Sequence, residues 1–309
     1  MVRLPKRGLT PVVVALAALV SAPVAAAAPP PSAASFRAAT PDLGAPPRAV
    51  PAPEIDDEPI LPANRVLAIY GAPQLGSTAL GERSPRRAAR LAVRQARPYE
   101  RKGDRPVIPA LDLIGVVANS TPGSDRRYRT RQPPELIDAY LAAARRAGAR
   151  LMLDVQPARS PIGREIAYLE PWLSQPDVDL AIDPEWNVGR HGVPGQTVGS
   201  VSARELNAAS RALRRIVKRN DLPPKLLAVH QFRKGSIRHR RAIKQRRDVE
   251  LILNFDGIGS PGPKIAGYEA LSIGRLFNGF SLFYRLDSPL MSPREVLRLE
   301  PAVDFLLYQ

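Results

Sequence analysis

The 309-residue chain contains no cysteine. That excludes disulfide support, a lipid-modified lipobox cysteine and any C-x-x-C motif. Histidine is scarce, with 3 in the whole chain, and there are only 2 tryptophans. No G-x-S-x-G, Walker or H-E-x-x-H sequence occurs, so the familiar signatures of serine hydrolases, nucleotide-binding loops and zinc proteases are missing. No Gly-rich phosphate loop follows the first apolar strand, and past the N-terminal region no apolar run is long enough to span a bilayer. Acidic residues are also in deficit, 29 against 45 basic ones.

What is present begins with a short charged start, Arg3, Lys6 and Arg7, then "TPVVVALAALVSAPVAAAAPP" with A-x-A cleavage choices near Ala25–Ala28. This is the pattern of a secretory signal peptide, predicted over residues 1–28, with an uncleaved N-terminal anchor as the alternative. Residues 29–63 are rich in Pro, Ala and Ser and lack periodicity, which predicts a linker or tether. Its apolar Ile55, Ile60 and Leu61 are expected to dock on the domain that follows. Without Arg3, Lys6 and Arg7 the charge balance is 42 − 29 = +13. For an exported protein such a balance points to anionic envelope polymer or lipid as a partner, not to nucleic acid. The densest cationic stretch is "RKGSIRHRRAIKQRR" (233–247), read as a very basic helix from Ser236.

Residues 64–309 are long enough for one core. Eight apolar runs recur there: 65–71, 110–119, 150–156, 178–186, 225–232, 249–257, 277–286 and 303–309. Helical patterns separate them, several with start signals such as Ser202 with Glu205 and Ser292-Pro293 with Glu295. Strict alternation implies parallel strands joined by helical crossovers. Eight repeats predict an α/β fold, a single-domain (β/α)8 barrel, with no helix after the eighth strand; an open doubly wound sheet is the alternative. The uncovered eighth position is expected to be covered by residues 50–64, and Tyr308 and Gln309 to lie at the cleft mouth.

In such barrels ligands bind at the C-terminal strand ends. The polar residues there are Tyr70, Asn119, Asp154, Gln156, Asp183, Glu185, Trp186, His230, Gln231, Asn254, Asp256, Tyr284, Arg285 and Tyr308. Period-two alternation puts Asp154 with Gln156, Asp183 with Glu185, and Asn254 with Asp256 on common faces. A lone strand-end Asp often caps the next turn. Carboxylates on several strand ends, accompanied by His230 and Gln231, suit acid–base chemistry or a ligand site.

The run "VDLAIDPEW" (178–186) resembles the fourth-strand signature of chitinase-like (β/α)8 glycoside hydrolases, in which aspartates lead to an Asp-x-Glu. It departs from that pattern in having Ala181 where a further Asp is expected. The rest of the chain is similar to exported proteins of actinobacterial type. The resemblance implies that Glu185 is the general acid and Asp183 its helper. Asp154 or Asp256 is the candidate second carboxylate. Tyr70, Gln156, Trp186, His230, Gln231, Asn254, Tyr284 and Tyr308 are the candidate substrate-binding residues. The expectation is a secreted or envelope-associated, monomeric glycoside hydrolase-like protein acting on an extracellular or cell-wall glycan, with no cofactor and no metal. Two alternatives stand beside it: a non-catalytic glycan-binding barrel, and a metal-dependent phosphodiesterase using the same carboxylates.

Overall fold

The computed structural model describes residues 50–52 and 58–309. The predicted signal peptide, most of the linker and Ile55 lie outside the described residues. Eight parallel strands form the core: β1 (Arg65–Gly71), β2 (Val107–Ala118), β3 (Arg150–Val155), β4 (Val178–Ile182), β5 (Lys225–Gln231), β6 (Val249–Phe255), β7 (Phe277–Leu282) and β8 (Phe305–Tyr308). Each pairs with its neighbour in sequence, and β8 pairs with β1 through Val66↔Phe305 to Ile69↔Tyr308, so the sheet closes into a barrel. Closure leaves no open edge between these strands.

Six α-helices serve the crossovers: α1 (Pro85–Lys102), α2 (Pro134–Arg146), α3 (Ile162–Leu173), α4 (Ala203–Arg219), α5 (Pro261–Leu271) and the short α6 (Pro293–Val296). The capping boxes read at Ser202/Glu205 and Ser292/Glu295 both form, each serine accepting from the glutamate N–H. Gly148 ends α2 with φ +64, a left-handed geometry that favours glycine. Among the described residues no helix is long and apolar enough to cross a membrane.

The predicted basic helix after β5 does not form. Residues 234–243 make two 3-10 turns, Lys234–Ser236 and Arg240–Ala242, around a two-residue strand, Ile237–Arg238, that pairs with Val201–Ser202. Only Ile237 and Ile243 bury apolar surface. Their six-residue separation is not the i, i+3, i+4 stripe that holds a helix on a barrel. The Asn207 amide holds the segment flat, donating to Ala242 O and accepting from Lys244 N. His239 adopts φ +55 between the turns.

Strand alternation divides the core into two apolar clusters. Leu67, Ile69, Leu151, Leu153, Leu227 and Val229 face the helices. Val66, Ala68, Met152, Ala181, Ala228, Ile252 and Leu307 fill the barrel interior. Ile60 and Leu61 join the interior cluster. Leu61 N donates to the carboxylate of Glu250, the second residue of β6, at 3.1 Å. Ile60 and Leu61 therefore plug the N-terminal mouth of the barrel, which corrects the expectation that these two residues cover the position beside β8. The reason is that the mouth exposes a ring of strand-start side chains, whereas α1 and its Tyr99 already pack against Tyr308. Leu61→Ala should lower the unfolding free energy by about 2–3 kcal/mol, the lower part of the Leu→Ala range, because the site lies at the rim of the core. Chemical denaturation measures it, and an unchanged midpoint would show the arm to be a surface attachment only.

Candidate active site

The C-terminal ends of the strands bring one group of polar side chains into the barrel mouth. From β1, the Tyr70 hydroxyl donates to Asp154 Oδ2 on β3 at 3.3 Å and accepts from Gln156 Nε2 at 3.2 Å. Gln156 is oriented by Ala118 N, which donates to its Oε1. From β5, His230 Nδ1 lies 2.6 Å from Asp256 Oδ2 just past β6. Asn254 Nδ2 donates to Asp256 Oδ1 at 2.7 Å and to Ser281 Oγ of β7 at 2.8 Å. Ser281 Oγ also bonds Asp256. The ring of Tyr70 stands 5.8 Å from that of His230 and joins the two halves. Gly279 of β7 makes room for this network, since a Cβ there would lie 2.6 Å from Asn254 Oδ1.

β4 turns sharply after Ile182. Asp183 caps a 3-10 turn, Pro184–Trp186, by accepting from Glu185 N at 3.1 Å. Pro184 suits the first helical position, where its missing N–H costs nothing. Asp183 is buried, while Glu185 and Trp186 are half-buried. The main chain of Glu185 is fixed from the following loop, where Gly199 N donates to its carbonyl at 2.6 Å.

The electrostatics tie these groups together. Burial raises the Glu185 carboxyl above the usual range, and the Asp256 charge raises it further, while Arg233 and His230 oppose the shift. Burial, with Asp154, Asp256 and Glu185, carries Asp183 well up. Asp154 is pushed up to about 7, chiefly by burial and with the His230 charge opposing. Burial alone would lower His230. Its charge and hydrogen bond to Asp256, with Asp154 and Asp183 near, hold it well above the ordinary imidazole value. The mouth thus places an imidazole of raised proton affinity among carboxyls whose proton affinities are also raised, to different extents, the condition under which acid and base roles separate.

Eight of the twelve candidates are brought together: Tyr70, Asp154, Gln156, Asp183, Glu185, His230, Asn254 and Asp256. Trp186 sits on the turn beside them. Three candidates are placed elsewhere, outside this group. Gln231 alternates outward from His230, donating to Leu271 O and accepting from Arg240. Tyr308 alternates outward too, its hydroxyl 2.7 Å from that of Tyr99 on α1. Tyr284 stacks on Tyr308 at 5.2 Å and bonds Gln95, on the same outer side. Gln309 likewise lines a surface groove with Tyr284 and Gln95.

Sequence reasoning missed Asp112. It sits mid-strand on β2, fully buried, and neither carboxyl oxygen meets a donor among the described residues. Burial pushes its pKa to about 7, with His230 opposing and Asp256 and Asp183 adding. Reading only the strand end pointed to Asn119, which instead bonds Thr130 in a hairpin. A register shift at Gly115 reverses the alternation of β2, so the end of that strand was a poor guide. An Asp in step with Ala110 and Ile114 on an apolar strand was the available signal. Ser281 and Arg233 were also passed over.

Among the described residues no group of three or more His, Asp or Glu side chains is set to hold a metal ion. No protein-family model matches the chain, and no curated protein matches it. Among solved structures the chain is similar to a GH138 enzyme targeting pectin rhamnogalacturonan II, with TM-score 0.40 and 11% identity over 79% of this chain. The match covers 34% of that structure's chain. The closed ring of eight parallel strands, established by its own hydrogen bonding, defines this protein as a (β/α)8 barrel.

Proposed function

We propose that the protein is an exported glycoside hydrolase that cleaves an extracellular or cell-envelope glycan by carboxylate acid–base catalysis. The observation that carries this reading is the convergence of Asp154, Asp183, Glu185 and Asp256 around His230 at the C-terminal strand ends. Glycosidic cleavage needs one carboxyl that stays protonated to meet the leaving oxygen and a second carboxylate acting at the anomeric carbon. Glu185 suits the first role, because it combines raised proton affinity with partial access to solvent. Asp256 suits the second, since it pairs with His230 and is held by Asn254 and Ser281. Asp183 fixes Glu185 by capping its turn. Tyr70, Gln156 and Asn254 supply hydroxyl-binding partners. Export rests on the N-terminal charged and apolar pattern, and sequencing the N-terminus of the secreted protein tests it.

The deciding experiment is release of reducing ends from a panel of bacterial wall glycans and amino-sugar oligomers by the purified protein. Binding without release across the panel would leave a glycan-binding barrel as the better reading. A pH profile gives a second check. A general acid works in its protonated form, so the alkaline limb of the rate follows the Glu185 pKa. The Arg233 charge favours the ionised form and lowers that pKa. Arg233→Gln should therefore move the alkaline limb to higher pH, and a limb that stays in place would assign it to another group.

A further inference from the structure

We propose that the groove between α1 and α2 binds a linear phosphodiester polymer. The groove has a volume of about 500 Å³ and is lined by Arg86, Arg90, Arg94 and Arg97 of α1 and Arg146 of α2. The spacings of four, four and three residues put the α1 arginines on one helix face. At 1.5 Å per residue they extend over about 16 Å. No carboxylate lines the groove. Among the described residues Arg86, Arg90 and Arg97 enter none of the ion pairs, whereas Arg146 already has partners of its own. A second cationic cluster, on α4, is partly neutralised: Arg214 and Lys218 share Asp248, and Arg219 pairs with Glu170. Unpaired like charges held in a row repel one another, so this stripe gains most from a ligand that brings several anions at once.

The form of the groove selects the ligand. Its floor is made of small apolar side chains, Ala89 and Val93 on one wall and Ala143 and Ala147 on the other. A concave, alanine-floored channel receives a slender chain, whereas a flat bilayer would meet only its rims. Successive i, i+4 arginines are separated by about 6 Å along the axis, and a three-carbon polyol phosphate repeat is of similar length. Each phosphodiester offers two non-bridging oxygens, sharing one negative charge, to a guanidinium fork. Of the 45 basic residues 7 are lysine, which leaves 45 − 7 = 38 arginines, the side chain suited to such bidentate contact. Because α1 starts after the β1 end that carries Tyr70, the groove runs down the barrel flank from the side of the active site. Docking here would hold the protein on a polymer and leave the mouth free.

The test is titration of the full chain with poly(glycerol phosphate) oligomers at 50 and 200 mM salt. Four neutralised charges at a slope of about −0.7 each predict roughly fifty-fold weaker binding at the higher salt. The triple variant Arg86→Gln, Arg90→Gln, Arg97→Gln should lose at least about tenfold in affinity at low salt, and its salt slope should fall by about 2. Its thermal melt and its hydrolysis of small neutral substrates should stay as in wild type. The matching α4 variant, Arg211→Gln, Arg214→Gln, Arg215→Gln, should bind almost normally. Wild-type affinity in the α1 variant would overturn the proposal. So would equally tight binding of polygalacturonate oligomers of the same length, or binding only to phosphatidylglycerol vesicles.

Discussion

Glu185→Gln is expected to reduce turnover of a glycan substrate by about 10²–10⁴-fold while leaving substrate affinity nearly unchanged. The amide preserves the size and the half-buried position of the side chain. The Asp183 cap is to the Glu185 backbone N–H, so the 3-10 turn should also survive. What is lost is the ionisable proton. Burial and the Asp256 charge hold that proton on Glu185 to higher pH than on an ordinary glutamate, which is the property a general acid needs near neutrality. Single-turnover rates and equilibrium binding, measured on the same preparation, separate the two effects. Full activity in Glu185→Gln would move the acid role to Asp154, whose pKa is pushed up to about 7. Loss of binding together with rate would instead mean that Glu185 mainly contacts substrate.

Asp179→Ala should destabilise the fold by about 3–5 kcal/mol, the cost of removing one partner of a buried ion pair. Asp179 and Arg150 form a two-point contact inside the N-terminal end of the barrel, at 2.7 and 3.1 Å. Asp179 Oδ1 also accepts from Leu226 N at 2.9 Å. Removing the carboxylate leaves a buried guanidinium short of its counter-charge and a buried N–H without its acceptor, and both are costly in a dry interior. For a domain of this size the midpoint of thermal unfolding should fall by on the order of 10 °C. Asp179→Asn retains an acceptor for Leu226 N and should cost less. Equal midpoints for wild type and Asp179→Ala, measured by calorimetry, would show that water or rearrangement satisfies Arg150.

Those two results would also divide the run "VDLAIDPEW" by function. Asp179, Asp183 and Glu185 look equivalent in sequence, acids spaced by even numbers on one strand. In the fold Asp179 neutralises an arginine at the closed end of the barrel, Asp183 is buried at the other end, and Glu185 lies beyond the strand on a turn. Depth along the barrel axis separates a structural acid from a site acid. Nothing in residue type or alternation encodes that depth.

The sequence by itself determined eight parallel strands joined by crossovers, and the tertiary structure decided that they close through β1 and β8 instead of forming an open sheet. Eight apolar runs, alternating with helical patterns and start signals, leave parallel pairing as the arrangement that satisfies every strand, and the observed strands match those runs. Alternation also placed Asp154 with Gln156 and Asn254 with Asp256 on the interior face, because side-chain direction along a strand is a local property of the backbone. Tertiary structure decided the rest. It broke the alternation between the buried Asp112 and the end of its strand at Gly115, and it drew Asn119 into a hairpin with Thr130. It turned Gln231 and Tyr308 toward the helices, since strand ends carry outward as well as inward side chains. It replaced the basic helix at 236–247 with turns anchored by Asn207, because charged residues with two buried isoleucines offer no apolar stripe to hold a helix. It sent Ile60 and Leu61 to the mouth of the barrel, where they join the interior cluster and Leu61 N finds the Glu250 carboxylate. Each of these outcomes depends on which surfaces meet across long sequence separations, and local pattern carries no information about that.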